Sequence, residues 1–470
     1  LRLIIKTEDF MFKTETYKNR RARLKQDIQD GIILLPGNEE SPMNYTDNTY
    51  RFRQDSSFLY FFGLDYPGLV GYLDIDSGKE IIFGDDLTID DVIWMGTKPS
   101  LLERSKPIGI NTVLPFCCLQ DYVDEAIKKD RKIHFLPPYR AENKITLWNL
   151  TGIPPGKINE AASVDLIKAV VNQRNYKTTE EIDEIEKAVN ITVDMHLAAM
   201  KMAQPGITEA QIAARVHEIA LAGGGDISFP IIATIHGETL HNHYHGNRLE
   251  RGQLFLLDAG AETAMHYAGD MSSTFPVDKT FTGRQKEIYQ ITLDAHLAAV
   301  NMLKPGVNFK DVHLSACRTI AAGMKDLGFM KGDVDEAVEK GAHALFFPCG
   351  TGHMMGLDVH DMEDLGEMYV GYDGQPKSSQ FGLKSLRLGR PLEPGFVLTI
   401  EPGIYFIPEL IGQWKAEGKF KEFINYDKVE QYKDFSGCRN EEDFVITETG
   451  ARCLGKPLPK TIDEVEKARG

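Results

Sequence analysis

The residues most able to do chemistry sit at the ends of apolar runs in the later two-thirds of the chain. Gly252-Gln253-Leu254-Phe255-Leu256-Leu257-Asp258 ends in a carboxylate that the turn at Gly260 would expose. Twelve residues on, Asp270 precedes a second β-like run, Ser272 to Val277. A hairpin of the two runs brings Asp258 and Asp270 side by side, where like charges repel unless a cation or a shared proton holds them. Alone, the pair reads equally as two solvated turn aspartates.

Three further segments add to it. His353 follows a Gly-rich turn, Phe347 to Gly352, and His360 lies seven residues beyond it. Val397 to Ile400 is an apolar strand ending in Glu401, and Arg439-Asn440-Glu441-Glu442-Asp443 opens the run Phe444 to Thr447. Each piece is a weak signal; the ensemble carries weight. Asp258, Asp270, Glu401 and Glu441 bring four negative charges, which two divalent cations balance, and His353 completes a five-ligand set. Oxygen-rich coordination with one nitrogen favours Mn²⁺ over a thiolate-type zinc site. Two cations bridged by carboxylates suit hydrolysis, because they acidify a shared water and polarise a carbonyl. Spacing alone leaves Glu442 as a rival to Glu441.

Those strands need a frame, and the chain repeats one. ITVDMHLAAMKMAQPGI (191–207) recurs as ITLDAHLAAVNMLKPGV (291–307), with ten of seventeen positions identical. Each copy reads as a helix stopped by Pro-Gly, so the pattern predicts a duplicated half-domain with a site between the copies. His196 and His296 belong to the repeat and read as satisfied structural residues. Thr178 and Glu181 form a capping-box pattern before the stripe Ile182, Ile185, Val189, Val193. Upstream, Gly31 to Pro36, Gly68 to Asp76 and Lys79 to Gly84 are β-rich, which places a boundary near 172. The expected architecture is α+β: an N-terminal α/β domain (1–172) followed by a duplicated catalytic domain (173–470).

Composition narrows the partners. The 470 residues carry 53 Lys and Arg against 69 Asp and Glu, a net −16, which disfavours nucleic acid and anionic membranes. No apolar run is long enough to span a bilayer. Six cysteines without a CxxC pair fit a reducing cytosol, hence a cytoplasmic protein. Leu1 to Phe10 lacks a signal-peptide pattern and reads as a loose extension.

The runs LLDAGAETAMHYAGDMSSTFP, GTGHMMGLDVHD, LEPGFVLTIEPGIYF and CRNEEDFVITETG together resemble the pita-bread metallopeptidases, a family that includes methionine aminopeptidase, aminopeptidase P and prolidase. The likeness runs from about Phe52 onward. It implies a creatinase/aminopeptidase-type catalytic domain with a dinuclear metal site on Asp258, Asp270, His353, Glu401 and Glu441, the motif register selecting Glu441. The stretch between the two aspartates is one residue longer than in most relatives. By the same resemblance His241 is the proton shuttle with His243 its runner-up, His360 faces the scissile carbonyl, and Arg439 braces the bridging glutamate. Cys349 stands where many proline-specific relatives carry His. The run FRQDSSFLYFFG (52–63) resembles the N-terminal domain of aminopeptidase P and of long prolidases, and Arg387 falls where prolidases grip a dipeptide carboxylate. The implied activity is Xaa-Pro dipeptide hydrolysis on small proline-containing peptides, by a homodimer. Aminopeptidase P activity on longer peptides is the alternative. A metal-free binding module is a remote one, since all five ligand positions are filled, and phosphotriester hydrolysis as a side activity cannot be judged from these residues.

Overall fold

The computed structural model describes residues 11–470. The expected extension, Leu1 to Phe10, lies outside the described residues. Contacts divide the chain into two compact units. One runs to Arg174 and takes in Met362–Gly366, and the other comprises Asn175–Asp361 and Glu367–Gly470.

The first unit is built on a five-stranded mixed sheet in the order Val113–Leu114, Glu80–Phe83, Val70–Asp74, Ile32–Pro36, Ile133–His134. The central strands are antiparallel neighbours, with Leu34 opposite Tyr72 and Tyr72 opposite Ile81. Their shared face buries Ile32, Leu34, Tyr72, Ile81 and Phe83 against Leu119 and Val123 of helix Leu119–Lys128 and Leu147 of helix Ala141–Thr151. The FRQDSSFLYFFG run folds as helix Ser56–Phe62, buried on all sides. Asp55 caps it by accepting from the Phe58 N–H, and Gly63 stops it in the left-handed region at φ 62°.

The second unit contains the repeat. Helix Thr179–Met202 starts at the capping box of Thr178 and Glu181, and Glu209–Ala222 follows it. One hundred residues on, Gly283–Val300 and Phe309–Asp326 repeat the pair. The Pro-Gly turns are tied identically. Gly206 N–H donates to the Leu249 carbonyl and Leu249 N–H to that of Ile207; Gly306 and Leu392, then Leu392 and Val307, make the same two bonds. Leu249 and Leu392 are therefore equivalent, and counting nine residues forward from each gives Asp258 and Glu401.

Each half places its strands against its helices. In the first, Leu254–Ala259 lies between Met271–Pro276 and Ile232–Thr234, antiparallel to both. In the second, Val397–Ile400 pairs with Glu442–Ile446, which pairs with Ala451–Cys453. Here the outer partner of Val397–Ile400 shrinks to one bridge, Met354 with Leu398. The segment carrying His353 runs through that gap as irregular chain, so His353 sits beside a strand rather than at a strand edge. The halves are stitched where Thr274 Oγ1 donates to the Arg439 carbonyl and accepts from the Arg439 N–H.

Candidate metal centre

Asp258 occupies the penultimate position of strand Leu254–Ala259, and Asp270 immediately precedes Met271–Pro276. Glu401 and Glu441 hold corresponding places, just after Val397–Ile400 and just before Glu442–Ile446. Strand pairing within each half thus sets two carboxylates at one end of its sheet. Gly260 and Gly269 bring the two strands of the hairpin so close that a Cβ on Gly260 would meet the Gly269 carbonyl oxygen at 1.9 Å.

The structure gathers the expected ligands. Ligand atoms of Asp270, His353 and Glu441 all lie within 4.8 Å of one another, and all three residues are buried. His353 Nε2 is 3.4 Å from Asp270 and 3.5 Å from Glu401. Its other nitrogen, Nδ1, lies 3.0 Å from the Met354 carbonyl, a bond that leaves Nε2 as the lone-pair face. Asp258 is gripped by Arg439, whose remaining guanidinium donors go to Ser272 Oγ at 2.7 Å and the Tyr405 hydroxyl at 2.8 Å. Ser272 Oγ donates in turn to Glu441 at 2.7 Å.

Electrostatics separate the two adjacent glutamates. Glu442 pairs with Lys460 and faces His296 at 3.6 Å, away from the cluster. Alternation along a strand sends neighbours to opposite faces, so only one of the two can join the carboxylates. Sequence reading missed several supports: Asp443, which accepts from the Asp270 N–H at 3.1 Å, and Tyr405, Ser272 and Thr399. Asp443 was visible as the last acid of its motif; a hydroxyl on a strand carries no such mark.

The donor set suits cations. Burial, then repulsion from Asp270, Glu401 and Asp258, drives the Glu441 carboxyl far above its usual range. Burial likewise pushes Glu401 up to about 7, and raises Asp270 with Asp258 adding to it. Burial alone would lower His353, but Asp270 and Glu401 hold it above the ordinary imidazole value. Asp270 Oδ1 is buried without a hydrogen-bond partner. Anionic oxygens desolvated together, one with no donor, are a site that positive charge would stabilise. Arg439 alone does not balance them.

Around this cluster stand the other expected residues. The His360 ring packs edge-on against His353, centroids 4.4 Å apart. Arg387 Nε donates to His360 Nδ1 at 3.3 Å, and its Nη1 reaches Glu367 at 3.4 Å. His241 is exposed but within electrostatic reach of Asp258, Arg439 and Arg387; partial desolvation lowers its pKa. His243 is exposed beside it. Cys349 is a protonated thiol, pushed up to about 12 by burial and by Glu401. The paired expectation for the repeat histidines holds for one only. His196 is bonded at both nitrogens, to Ser273 Oγ at 2.7 Å and the Ala259 carbonyl at 3.0 Å, whereas neither nitrogen of His296 has a hydrogen bond.

Residues 183–448 match metallopeptidase family M24. The chain belongs to that family. It is a metal-dependent peptidase, and residues 17–134 match the N-terminal domain of aminopeptidase P. The Xaa-Pro dipeptidase of Homo sapiens is 30% identical over 462 residues, spanning 95% of this chain and 90% of the relative. The Xaa-Pro aminopeptidase of Escherichia coli is 30% identical over 465 residues, spanning 96% and 97%. Among solved structures, proline aminopeptidase P II from Yersinia pestis has a TM-score of 0.81 at 27% identity, covering 97% of this chain and 99% of that one. No helix among the described residues is long and apolar enough to cross a membrane.

Proposed function

We propose that this M24 peptidase hydrolyses the bond between an N-terminal residue and proline, and that its preferred substrate is the Xaa-Pro dipeptide. The observation that supports dipeptides is the placement of Arg387 against His360, which itself packs edge-on against His353. A guanidinium one side chain away from the ligand cluster can fork onto a free carboxylate, and that reach limits the substrate to two residues. Asp258, Asp270, His353, Glu401 and Glu441 would hold two divalent cations, with Mn²⁺ the best match to four carboxylates and one imidazole. Bound there, such cations would polarise the scissile carbonyl and acidify a water.

The protein's own groups do the rest. Arg439 and Ser272 fix Asp258 and Glu441 in place through the bonds already described. Because Arg387 donates to Nδ1 of His360, that ring carries its proton on Nε2, where it would donate to the carbonyl oxygen as negative charge develops. His241, kept neutral by its lowered pKa, would shuttle a proton, with His243 beside it on the substrate side. In this reading residues 173–470 carry the chemistry and residues 1–172 form a separate domain of a cytoplasmic homodimer. The reducing compartment rests on six free cysteines.

One observation favours the aminopeptidase reading: Glu367 already engages Arg387, as it would if the arginine were scaffold. Proline release from Ala-Pro, measured beside cleavage of Ala-Pro-Ala with and without added Mn²⁺, separates the two. We expect the dipeptide to be preferred, and Arg387→Ala to raise KM for Ala-Pro roughly tenfold or more with little change on Ala-Pro-Ala. Equal losses on both substrates, or better turnover of the tripeptide, would make the chain an aminopeptidase.

A further inference from the structure

A second cluster of metal-ligating side chains lies apart from the carboxylate centre. His313 and Cys317 sit one turn apart on helix Phe309–Asp326, hence on one face, and His343 comes from the short 3₁₀ turn Ala342–Leu345. One ligand atom from each lies within 4.8 Å of the others, and all three side chains are fully buried. We propose that His313, Cys317 and His343 form a second, thiophilic metal site, for Zn²⁺ or a cation of similar softness. It is distinct in ligand chemistry and position from the oxygen-rich centre.

Three features argue for a ligand rather than simple packing. His343 has both ring nitrogens buried and neither in a hydrogen bond. Two buried ring nitrogens outside any hydrogen bond are costly, and a cation would satisfy one of them. The carbonyl of Val338 is near enough to raise the basicity of the ring without hydrogen-bond geometry, a suitable partner for its other nitrogen. His313 is oriented from outside the cluster: its Nδ1 lies 2.8 Å from Thr351 Oγ1, which leaves Nε2 facing Cys317 Sγ at 3.4 Å.

Protonation suits the same reading. Burial lowers His313 to about 3 and His343 to about 4, so both offer neutral lone pairs across the physiological range. Burial, with Cys349 adding to it, raises the Cys317 thiol. Binding M²⁺ therefore breaks the S–H bond, forms the metal–sulfur bond and releases one proton to solvent. Two imidazoles and a thiolate select zinc-like ions, whereas the carboxylate centre selects harder ones. A short route joins the two sites: the Thr351 that orients His313 accepts the Glu401 N–H at its carbonyl, 2.7 Å away.

The test uses Co²⁺ alone, added to chelator-treated full-length protein until the spectrum stops changing. We expect a thiolate-to-cobalt charge-transfer band whose full amplitude corresponds to about one Co²⁺ per chain, whatever further Co²⁺ the carboxylate centre takes up, since a thiolate ligand must be deprotonated to bind. Cys317→Ser should abolish the band and Cys349→Ser should retain it. His343→Ala should weaken the Co²⁺ affinity that the band reports by at least about tenfold, as a lost ligand costs no less than a lost orienting partner. A wild-type protein without the band, or a band that survives Cys317→Ser, overturns the site. Should Cys317→Ser fail to fold, X-ray absorption at the zinc edge of the zinc-loaded wild type decides. A sulfur shell near 2.3 Å, of the order expected for Zn–S, supports the proposal, and a purely nitrogen and oxygen shell removes it.

Discussion

The two copies of the repeated helix pair share their scaffolding and differ in what they point at. Gly223 caps the second helix of the first copy and Gly323 lies in the last turn of its counterpart, and a Cβ on either would meet the isoleucine opening the repeated segment, Ile191 or Ile291, at 2.7 Å. Thr192 and Thr292 each return their hydroxyl to the carbonyl four residues back. Yet His196 is bonded at both nitrogens while His296, one hundred residues on, faces Glu442 at 3.6 Å and the Phe444 ring at 6.3 Å between centroids. Both copies thus share the same close glycine seats and threonine bonds. The histidine's partners come from strands that diverged, so an identical residue is anchored in one half and orphaned in the other.

The comparison breaks hardest at the carboxylates, where both halves must contribute. Asp270→Asn in the first half and Glu441→Gln in the second should each abolish metal binding together with turnover, by at least about 10³-fold. Metal content and kcat measured on the same samples check this. Retained activity in either variant would mean that one half suffices and the centre is not shared.

Between the histidines the expected effects diverge. His196→Leu strands the Ala259 carbonyl and Ser273 hydroxyl, both inside the sheet, and should cost roughly 2–3 kcal/mol by urea unfolding. His296→Leu removes an unsatisfied polar ring and leaves Glu442 its Lys460, so stability should change by less than about 1 kcal/mol or rise. Equal losses would show that His296 has a partner in solution. The glycines should behave more alike. Alanine at either position must push an isoleucine branch aside, at about 1–3 kcal/mol. Gly323 lies within a helix and Gly223 at a helix end, so Gly323→Ala recovers up to about 1 kcal/mol of helix propensity and should be the milder of the two.

What could be read from the residues follows the same division. The Pro-Gly turns, the capping box at Thr178 and the strands ending in acids carry local signatures, and they stand where expected. The five acid and histidine positions were legible as an ensemble, two acids ending apolar runs, two preceding them and one histidine after a Gly-rich turn, although each piece alone is a weak signal. The environment of His296 was not legible. Whether a buried imidazole finds a donor depends on a strand some 150 residues away, Glu442–Ile446, and nothing near His296 encodes it. Glu441 and Glu442 could not be ranked by spacing either, because the deciding fact is which face of the strand meets the cluster. The His313, Cys317 and His343 grouping was invisible for a third reason: its members are split between a helix and a 3₁₀ turn, with no ligand-like spacing from Cys317 to His343.

The smallest effect is also the sharpest test of the orphaned ring. Burial lowers His296 to about 3 and His196 to about 4, whereas an unfolded histidine titrates near 6.5. Both folded-state values are depressed, so the stability these residues permit is fully present above about pH 6.5. It falls as the pH drops toward the folded values, because the unfolded chain takes up protons that the folded one refuses. Each contributes a slope approaching 1.4 kcal/mol per pH unit within that window. His296→Leu should therefore gain relative to wild type as the pH is lowered from 7 to 5.5, by about 1 kcal/mol, in urea titrations at matched ionic strength. His196→Leu should recover part of its larger deficit over the same interval. An unchanged difference between wild type and His296→Leu across that range would mean that His296 titrates normally and is hydrated, and the contrast between the two halves would lose its basis.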